Sequence, residues 1–298
     1  MHIISGIYHR LQWYWWGCKE YYARHYMKQP NVLSVDETLD LIINEHYSVS
    51  RNGDGELNIM LGRNIPFQKW DRRLADIMIE AHTIEMPKYI SAVPDVFDGC
   101  KNMNAKATLY YKHFLHRNRY DWYKLTQGRT YGTTFVSRFY IDYVDKSHSH
   151  KQVARLKEVW KDQDVLLVEG KDSRLGVGND LFDGAKSLKR ILGPSENAFD
   201  VYDQLMSEVK NVAAKDRLIL LALGPTATAM AYELAKAGYW AVDIGHVDIE
   251  YEWMLMGATT KVNVPGKYTN ESTGDKITGS LPEEAIEKYQ KEIITSFY

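Results

Sequence analysis

Short apolar runs alternate with amphipathic stretches along most of the chain. Apolar residues three and four positions apart predict helices at 34–44, 70–82, 151–161, 197–213, 226–238 and 280–298. Residues 91–99 are predicted to form a loop, and residues 105–144 a mixture of helix and loop. Four runs have the length of buried strands, and they are YSVSR (47–51), DVLLVEG (164–170), RLILLALG (217–224) and YWAVDIG (239–245).

The order of these elements indicates the fold class. Strand, helix and strand in succession predict a parallel sheet with right-handed crossovers. The first of the helices has a clear start, because Ser34 and Glu37 occupy the positions of a capping box. We therefore predict an α/β fold, with a Rossmann-like, mostly parallel sheet flanked by helices over residues 31–298. An aromatic and basic segment at residues 1–30 precedes it.

The N-terminal segment predicts an amphipathic helix rich in Trp and Tyr. The far side of this helix is basic, with Arg10, Arg24 and Lys28. A helix of this composition can lie at a membrane interface, or it can pack on the rest of the protein or on a second copy. Peripheral membrane contact and a homodimer through residues 1–28 are therefore both open. The apolar face consists of Ile4, Ile7, Leu11, Trp15, Cys18 and Tyr22.

Composition and charge narrow the function classes. The 298 residues are 45% hydrophobic and 26% charged, as is usual for a globular protein. A net charge of −2 gives no electrostatic basis for binding nucleic acid. Cys18 and Cys100 are too few for a disulfide framework, and we find neither a secretory signal nor an apolar run of roughly 20 residues. These features predict a cytoplasmic protein, located at the inner face of the membrane if its N-terminal helix docks there.

Polar sequences follow all four predicted strands. Open parallel sheets bind ligands beyond the carboxyl ends of their strands. The loops RNGDGE, EGKDSRLGVGNDLF, GPTAT and GHVDIEYEW are therefore expected to meet at one edge of the sheet.

The first loop places two carboxylates next to a cation. Asp54 and Glu56 are two positions apart and follow Arg51 and Gly53. In an extended conformation the two acids would point to the same side. Two neighbouring carboxylates suit Mg²⁺ or Mn²⁺ shared with substrate phosphates. A solvated turn is the alternative.

The next two loops have features of an anion site. Arg174 supplies a planar cation and Gly176 allows a close approach of the backbone, which together can hold a diphosphate. Gly224, Pro225 and Thr226 open a helix whose first N–H groups can bind an anion. Ordinary turns explain either sequence equally well.

The fourth loop alternates polar and apolar residues. If it is extended, His246, Asp248 and Glu250 share one face, together with Glu252. Carboxylates gathered there would repel one another unless a cation or a proton relieves them. We therefore predict a general base or a metal site, with a half-buried edge strand as the alternative.

Together the four loops resemble the sequence blocks of the GT-D glycosyltransferases, a family formerly catalogued as domain of unknown function 1792. The resemblance extends from about Ser34 to about Lys267. It implies a Rossmann-like domain that transfers a hexose from a UDP-sugar, with UDP-glucose preferred over UDP-galactose, and that uses Mn²⁺ or Mg²⁺. The implied acceptor is a growing bacterial glycan on an adhesin or on a lipid-linked precursor.

The resemblance also implies roles for individual residues. In the chemistry of the transfer, Asp248 is slightly favoured over Glu250 as the general base, and His246 is favoured as a positioning donor. The roles carried over by motif are metal binding for Asp54 and Glu56, donor binding for Arg174 and Asn179, and the catalytic face for His246, Asp248 and Glu250.

Two other function classes remain open. A methyltransferase would also use a Rossmann-like sheet, without metal, and Glu169 at the end of the second predicted strand is the acid that such an enzyme would need. A non-catalytic sugar-nucleotide-binding module is the other class, and in it the acids would be structural.

Overall fold

The computed structural model describes residues 2–269 and 277–298, with side chains from residue 8 onward. The strands are β1 (Asn31–Val32), β2 (Ser48–Arg51), β3 (Tyr89–Val93), β4 (Thr130–Thr133), β5 (Asp164–Gly170), β6 (Ser187–Gly193), β7 (Leu218–Ala222), β8 (Trp240–Asp243) and β9 (Ile293–Ser296). The α-helices are α1 (His2–Tyr26), α2 (Val35–Glu45), α3 (Asp54–Met60), α4 (Arg72–Thr83), α5 (Ala105–Thr126), α6 (Ser149–Lys157), α7 (Tyr202–Val212), α8 (Pro225–Lys236), α9 (Val247–Leu255) and α10 (Glu283–Glu292).

All strands of the described residues form one parallel sheet. Its order is β1-β4-β3-β2-β8-β7-β5-β6-β9. The four strands predicted from the sequence are β2, β5, β7 and β8, which lie side by side in the middle of this order. Helices cover both faces there, so β5, β7 and β8 are mostly apolar on both sides and are recognisable in the sequence, whereas β2 carries Ser48 and Ser50. The predicted parallel α/β fold is confirmed.

The sheet also contains strands that the apolar pattern does not predict. The prediction of a loop at 91–99 is wrong for residues 91–93, because Tyr89–Val93 pairs with β2 and with β4, and it is confirmed for residues 94–99. Pro94 follows this strand directly and ends it. The strand β6 begins with the polar sequence SLKR, and β1 and β9 are short edge strands. Short or polar strands such as these lack a distinctive sequence pattern.

Each face of the sheet buries its own apolar layer. Along β5 the side chains alternate, with Leu166 and Val168 on one face and Val165 and Leu167 on the other. The first layer includes residues of α3, α4, α5, α7 and α8, and the second includes residues of α2, α6 and α9. The predicted capping box of α2, formed by Ser34 with Glu37, is confirmed.

The N-terminal helix is confirmed as a helix, but its apolar face points outward. Leu11 and Trp15 are exposed, whereas Ala23 is fully buried in the face that packs on α5. Packing of this face on the rest of the chain, one of the alternatives that the sequence leaves open, is therefore wrong for Leu11 and Trp15. The side chains of Ile4 and Ile7 lie outside those described. No helix in the described part of the chain combines the length and apolarity needed to cross a bilayer.

Candidate functional site

A cavity of about 660 Å³ opens at the carboxyl ends of the strands. Residues at or just after the ends of β2, β3, β4, β5, β6, β7 and β8 line it. This is the edge at which the sequence analysis expects a ligand. The volume lies in the range typical of small-molecule sites.

The loop after β2 is the start of a helix. Asp54 and Glu56 lie in the first turn of α3, so the extended conformation predicted for them is wrong. The Glu56 carboxylate accepts a hydrogen bond from the backbone N–H of Gly53 at 2.8 Å, and this satisfies a donor that has no partner inside the helix. Asp54 is exposed and lines the cavity, as do Glu56 and Gly53.

The cavity contains a carboxylate that the sequence analysis does not single out. Asp243 ends β8 and is buried beneath the cavity that it lines. Its Oδ1 accepts a hydrogen bond from Gly245 N at 3.0 Å, and its Oδ2 lies 3.3 Å from Thr228 Oγ1. The sequence signal for this residue is an acid at the end of a buried parallel strand.

Arg51 lines the cavity beside Asp243. Its Nη1 lies 3.9 Å from Asp243 Oδ1, and its Nη2 donates to the carbonyl of Thr134 at 3.4 Å. Gly245 leaves room for the guanidinium, because a Cβ at that position would lie 1.6 Å from Arg51 Nη1. Gly245 also has φ of +48°, which favours glycine. The loop after β8 thus holds the Arg51 guanidinium beside Asp243.

Two carboxylates at this site hold protons more tightly than usual. Removal from water raises the pKa of Glu56 to about 7, against the opposing effect of the Gly53 N–H, and the nearby Asp243 and Asp54 raise it further. Burial raises the pKa of Asp243 to about 6, although Arg51 opposes this shift. The site therefore changes its charge between about pH 6 and pH 7.

This titration predicts a loss of stability as the pH rises. The folded pKa of Glu56, about 7, lies above its ordinary value of 4.5, so the folded state retains a proton that the unfolded chain releases. The contribution is complete below about pH 4.5 and is lost as the pH rises through about 7. We expect the free energy of unfolding in urea to fall over this interval, and to fall less in Glu56→Gln.

A matched variant separates this effect from general titration. Glu287 is exposed on α10, and Glu287→Gln is expected to keep the wild-type pH dependence. Equal pH profiles for Glu56→Gln and the wild type would contradict the assignment.

The residues after β8 form a helix, so the extended strand predicted for residues 246–252 is wrong. His246 precedes α9, which begins at Val247. Helical geometry places Asp248 and Glu252 on one side and turns Glu250 to another. His246 and Asp248 line the cavity, whereas Glu250 is not among the described residues that line it.

Lys267 supplies the positive charge that offsets the repulsion between Asp248 and Glu252. Its ammonium group is fully buried and lies 2.7 Å from Asp248 Oδ2 and 2.7 Å from Glu252 Oε1. The side-chain amide of Asn179 donates to Asp248 Oδ1 at 2.8 Å and to Glu252 Oε1 at 2.7 Å. Gly176 N also donates to Asp248 Oδ1, at 2.9 Å. Both Asp248 oxygens are therefore engaged in holding the loops after β5 and α9 together.

Glu250 holds a different segment. Its Oε2 accepts hydrogen bonds from the backbone N–H groups of Tyr140 and Ile141 at 2.9 and 3.1 Å. Burial raises the pKa of Glu250 to about 6, although Arg138 opposes this. The predicted convergence of His246, Asp248 and Glu250 on one face is thus wrong, and Glu250 anchors the chain beyond β4.

The loop after β5, predicted to bind a diphosphate, is held by contacts outside the cavity. Arg174 Nη1 donates to the carbonyl of Gly266 at 2.9 Å. Ser173 and Leu175 of this loop line the cavity. The described residues that line it do not include Arg174, Gly176 or Asn179. The loop contributes to the site, but through neighbours of the residues that were expected.

The start of α8 contributes through Gly224. This residue lines the cavity, whereas Pro225 and Thr226 are not among the described residues that do. Thr226 is fully buried, and its hydroxyl lies 3.4 Å from Gln68 Oε1. The Thr228 hydroxyl donates to the Arg51 carbonyl at 2.8 Å. These hydroxyls therefore join α8 to neighbouring segments.

Three further cations reach the cavity from parts of the chain that the sequence analysis leaves unassigned. Lys106 comes from α5, Arg138 follows the 3₁₀ turn after β4, and Lys261 follows α9. Asp142 lies 3.1 Å from Arg138 and 3.7 Å from Lys261. Tyr110 also lines the cavity, and partial removal from water together with the neighbouring Asp54 raises the pKa of its phenol.

The carboxylates fit a metal that is shared with a substrate. In the described part of the chain, no three His, Cys, Asp or Glu side chains are grouped as a complete metal site. Mg²⁺ commonly binds through one or two carboxylates together with substrate phosphates and water. The donor set of Asp54 and Glu56 at the first turn of α3 suits that arrangement.

Comparison with known proteins finds relatives that are described as glycosyltransferases. A family model described as "Glycosyltransferase GT-D fold" matches residues 49–272. "Probable glycosyl transferase Gly" of Streptococcus gordonii is 42% identical over 250 residues, which is 84% of this chain and 36% of that protein. Glycosyltransferase GlyD of Streptococcus pneumoniae is 44% identical over 248 residues, which is 82% of this chain and 30% of that protein. The chain thus spans about a third of the length of these curated relatives.

Solved structures match over nearly the whole chain. "A New Glycosyltransferase (DUF1792) from Streptococcus sanguinis" has a TM-score of 0.84 at 40% identity, and the match covers 91% of this chain and 100% of that one. The structure titled "The highly conserved domain of unknown function 1792 has a distinct glycosyltransferase fold" has a TM-score of 0.87 at 38% identity. That match covers 94% of this chain and 100% of that one.

Proposed function

The chain belongs to the GT-D glycosyltransferase family, and we propose that it transfers a hexose from a UDP-sugar to a growing bacterial glycan. UDP-glucose is the preferred donor and UDP-galactose the second candidate. The acceptor is a glycan on an adhesin or on a lipid-linked precursor. The observation that carries this proposal is the cavity at the strand ends, where carboxylates and cations from separate loops meet.

The charges of the cavity suit a nucleoside diphosphate as leaving group. When the bond from the sugar to the diphosphate breaks, negative charge develops on the diphosphate oxygen. Arg51, Lys106, Arg138 and Lys261 all line the cavity, and guanidinium groups pair well with phosphate oxygens. We propose that these cations, rather than Arg174, contact the donor.

Asp54 and Glu56 would hold Mn²⁺ or Mg²⁺ at the same place. When bound, such a cation supplies Lewis-acid stabilisation of the leaving diphosphate. Asp54 is the exposed member of the pair, whereas Glu56 also caps α3. We therefore propose Asp54 as the principal ligand, with Glu56 as a second ligand.

The catalytic roles divide differently from the roles carried over by motif. Both oxygens of Asp248 are engaged by Lys267, Asn179 and Gly176, so we propose that Asp248 positions the loop after β5. Glu250 acts in the same way on the segment after β4. His246 lines the cavity beside Asp243 and Gly245, where it can orient a substrate hydroxyl.

The two rival functions receive less support. A methyltransferase would use Glu169 to bind its cofactor, but Glu169 is fully buried and ion-paired with Arg190, and it also accepts a hydrogen bond from Leu175 N. A module that only binds sugar nucleotides remains an alternative, and turnover distinguishes it from an enzyme.

Donor hydrolysis tests the proposed function. We expect slow UDP release from UDP-glucose, less from other UDP-sugars, and none when a chelator removes divalent cations. Adding Mn²⁺ or Mg²⁺ in excess of the chelator should restore the release. Binding of UDP-glucose without any release of UDP would favour the binding module, and binding of S-adenosylmethionine would favour the methyltransferase.

A further inference from the structure

Helices α1 and α5 form a two-helix layer at the surface, here called the α1–α5 layer (residues 2–28 and 105–126). Lys19 forms an ion pair with Asp121 at 3.2 Å, and the Trp13 ring stacks on His116 with 4.1 Å between centroids. Contacts advance together along both helices, from Trp13 with His116 to Lys19 with Asp121. The two helices therefore run in the same direction.

The outer surface of this layer is apolar and aromatic. The residues of α1 that face α5 include Ala23, which is fully buried. An outward stripe is exposed to between 52% and 74%, and it consists of Tyr8, Leu11, Tyr14, Trp15, Tyr22 and Tyr26. Six large side chains in one outward stripe are more than the scattered exposed hydrophobics of an ordinary surface.

The same layer is strongly basic. Residues 2–28 and 105–126 contain nine Lys and Arg against two Asp and Glu, a net charge of +7 in a chain of net charge −2. The two acids are neutralised within the layer, because Glu20 pairs with Arg119 at 3.0 Å and Asp121 pairs with Lys19. Lys112 and Lys124 are exposed. The layer therefore attracts a negatively charged surface.

We propose that the α1–α5 layer docks on an anionic lipid membrane. Trp and Tyr rings favour the interface between headgroups and acyl chains, and the Lys and Arg side chains of the same layer attract anionic headgroups. A second copy of the chain is a poorer occupant, because a symmetric dimer would place a layer of net charge +7 against another of the same charge.

The layer lies next to the cavity. Lys106 and Tyr110 of α5 line the cavity, and one turn further along the helix His113 contacts Trp13 with 5.8 Å between ring centroids. Docking would therefore bring the cavity close to the headgroups. If the proposed glycosyl transfer holds, on which this step rests, the acceptor is a glycan carried on a membrane lipid.

Vesicle binding tests the docking surface. The full chain should partition onto vesicles of phosphatidylcholine with about a third phosphatidylglycerol at least tenfold more strongly than onto phosphatidylcholine alone. Leu11→Glu should reduce that partitioning about tenfold or more, because it removes an apolar side chain from the interface and adds a negative charge. Lys112→Gln with Lys124→Gln should also weaken binding, and should reduce its dependence on salt.

The chain offers a matched control. Leu255 is 54% exposed at the end of α9, compared with 65% for Leu11, so Leu255→Glu makes the same chemical change outside the layer. It is expected to leave vesicle binding unchanged. Equal binding of Leu11→Glu and the wild type, or no preference of the wild type for anionic vesicles, would overturn the proposal.

Sedimentation in the absence of lipid examines the rival occupant. We expect a monomer, and a dimer that Leu11→Glu dissociates would assign the stripe to a second copy and overturn membrane docking. Hydrolysis of UDP-glucose in solution is measured on the same samples. Vesicle binding without hydrolysis would reject the proposed function and leave the docking proposal standing. Hydrolysis without vesicle binding would reject the docking proposal and leave the proposed function standing.

Discussion

Asp54→Asn is expected to lower the rate of UDP release from UDP-glucose by about 100-fold or more. The carboxylate of Asp54 is exposed to the cavity at the first turn of α3. The amide is a much weaker ligand for Mg²⁺ or Mn²⁺ and carries no charge. Initial rates measured over a range of Mn²⁺ concentrations should show the loss, with partial recovery at high Mn²⁺ if metal binding is the function that is impaired.

The fold should survive this change. An acid in the first turn of a helix contributes only about 0.3–1 kcal/mol through the helix dipole, so the urea midpoint should move little. Asp216→Asn is a matched control, because Asp216 is exposed and is not among the described residues that line the cavity. Activity of Asp54→Asn within about threefold of the wild type would remove Asp54 from the metal site.

Glu56 separates a catalytic role from a structural one. Glu56→Gln keeps an oxygen that can accept the Gly53 N–H, whereas Glu56→Ala removes this cap and should also lower stability by about 1 kcal/mol. The sequence pattern indicates two acids on a turn, but it does not reveal that one of them closes a helix. That distinction depends on where α3 begins, and helix starts depend on cap geometry.

Most of the middle of the sheet could be predicted because burial on both faces makes β5, β7 and β8 mostly apolar. The edge at which the loops after these strands meet could also be predicted, because parallel topology brings the carboxyl ends of the strands together. The alternation of polar and apolar residues, which predicts a strand at 246–252, is misleading at α9. Val247, Ile249, Tyr251 and Trp253 are all buried although the segment is helical, because this helix is surrounded by protein. A period of two then arises without a strand.

The charge partners within the site could not be predicted. Lys267 follows Glu252 by 15 residues and reaches it across an irregular segment. Lys106 and Arg138 come from the stretch 105–144, whose elements the apolar pattern does not resolve. Ion pairs between distant segments leave no periodic signal, because they depend on the packing of the folded chain.

Lys267→Met is expected to lower the free energy of unfolding by about 3–5 kcal/mol. The ammonium group is fully buried between Asp248 and Glu252, at 2.7 Å from each. Its loss would leave the buried Asp248 and the half-buried Glu252 without the cation that neutralises them. Urea unfolding measures the change. Lys288→Met is the control, since Lys288 is 71% exposed and lies 3.8 Å from Asp183, so its loss should change stability by less than about 1 kcal/mol.

Neutralising the carboxylates in the same variant separates the two roles considered for Asp248. Asp248→Asn with Glu252→Gln and Lys267→Met removes the uncompensated charges and keeps an oxygen that can accept the Gly176 N–H, so most of the lost stability should return. If Asp248 positions the loop after β5, transfer of the hexose from UDP-glucose to an acceptor should recover together with stability. If Asp248 is the general base, the triple variant should be stable and remain about 100-fold less active. Because both Asp248 oxygens already accept hydrogen bonds from other residues, we expect the activity of the triple variant to recover.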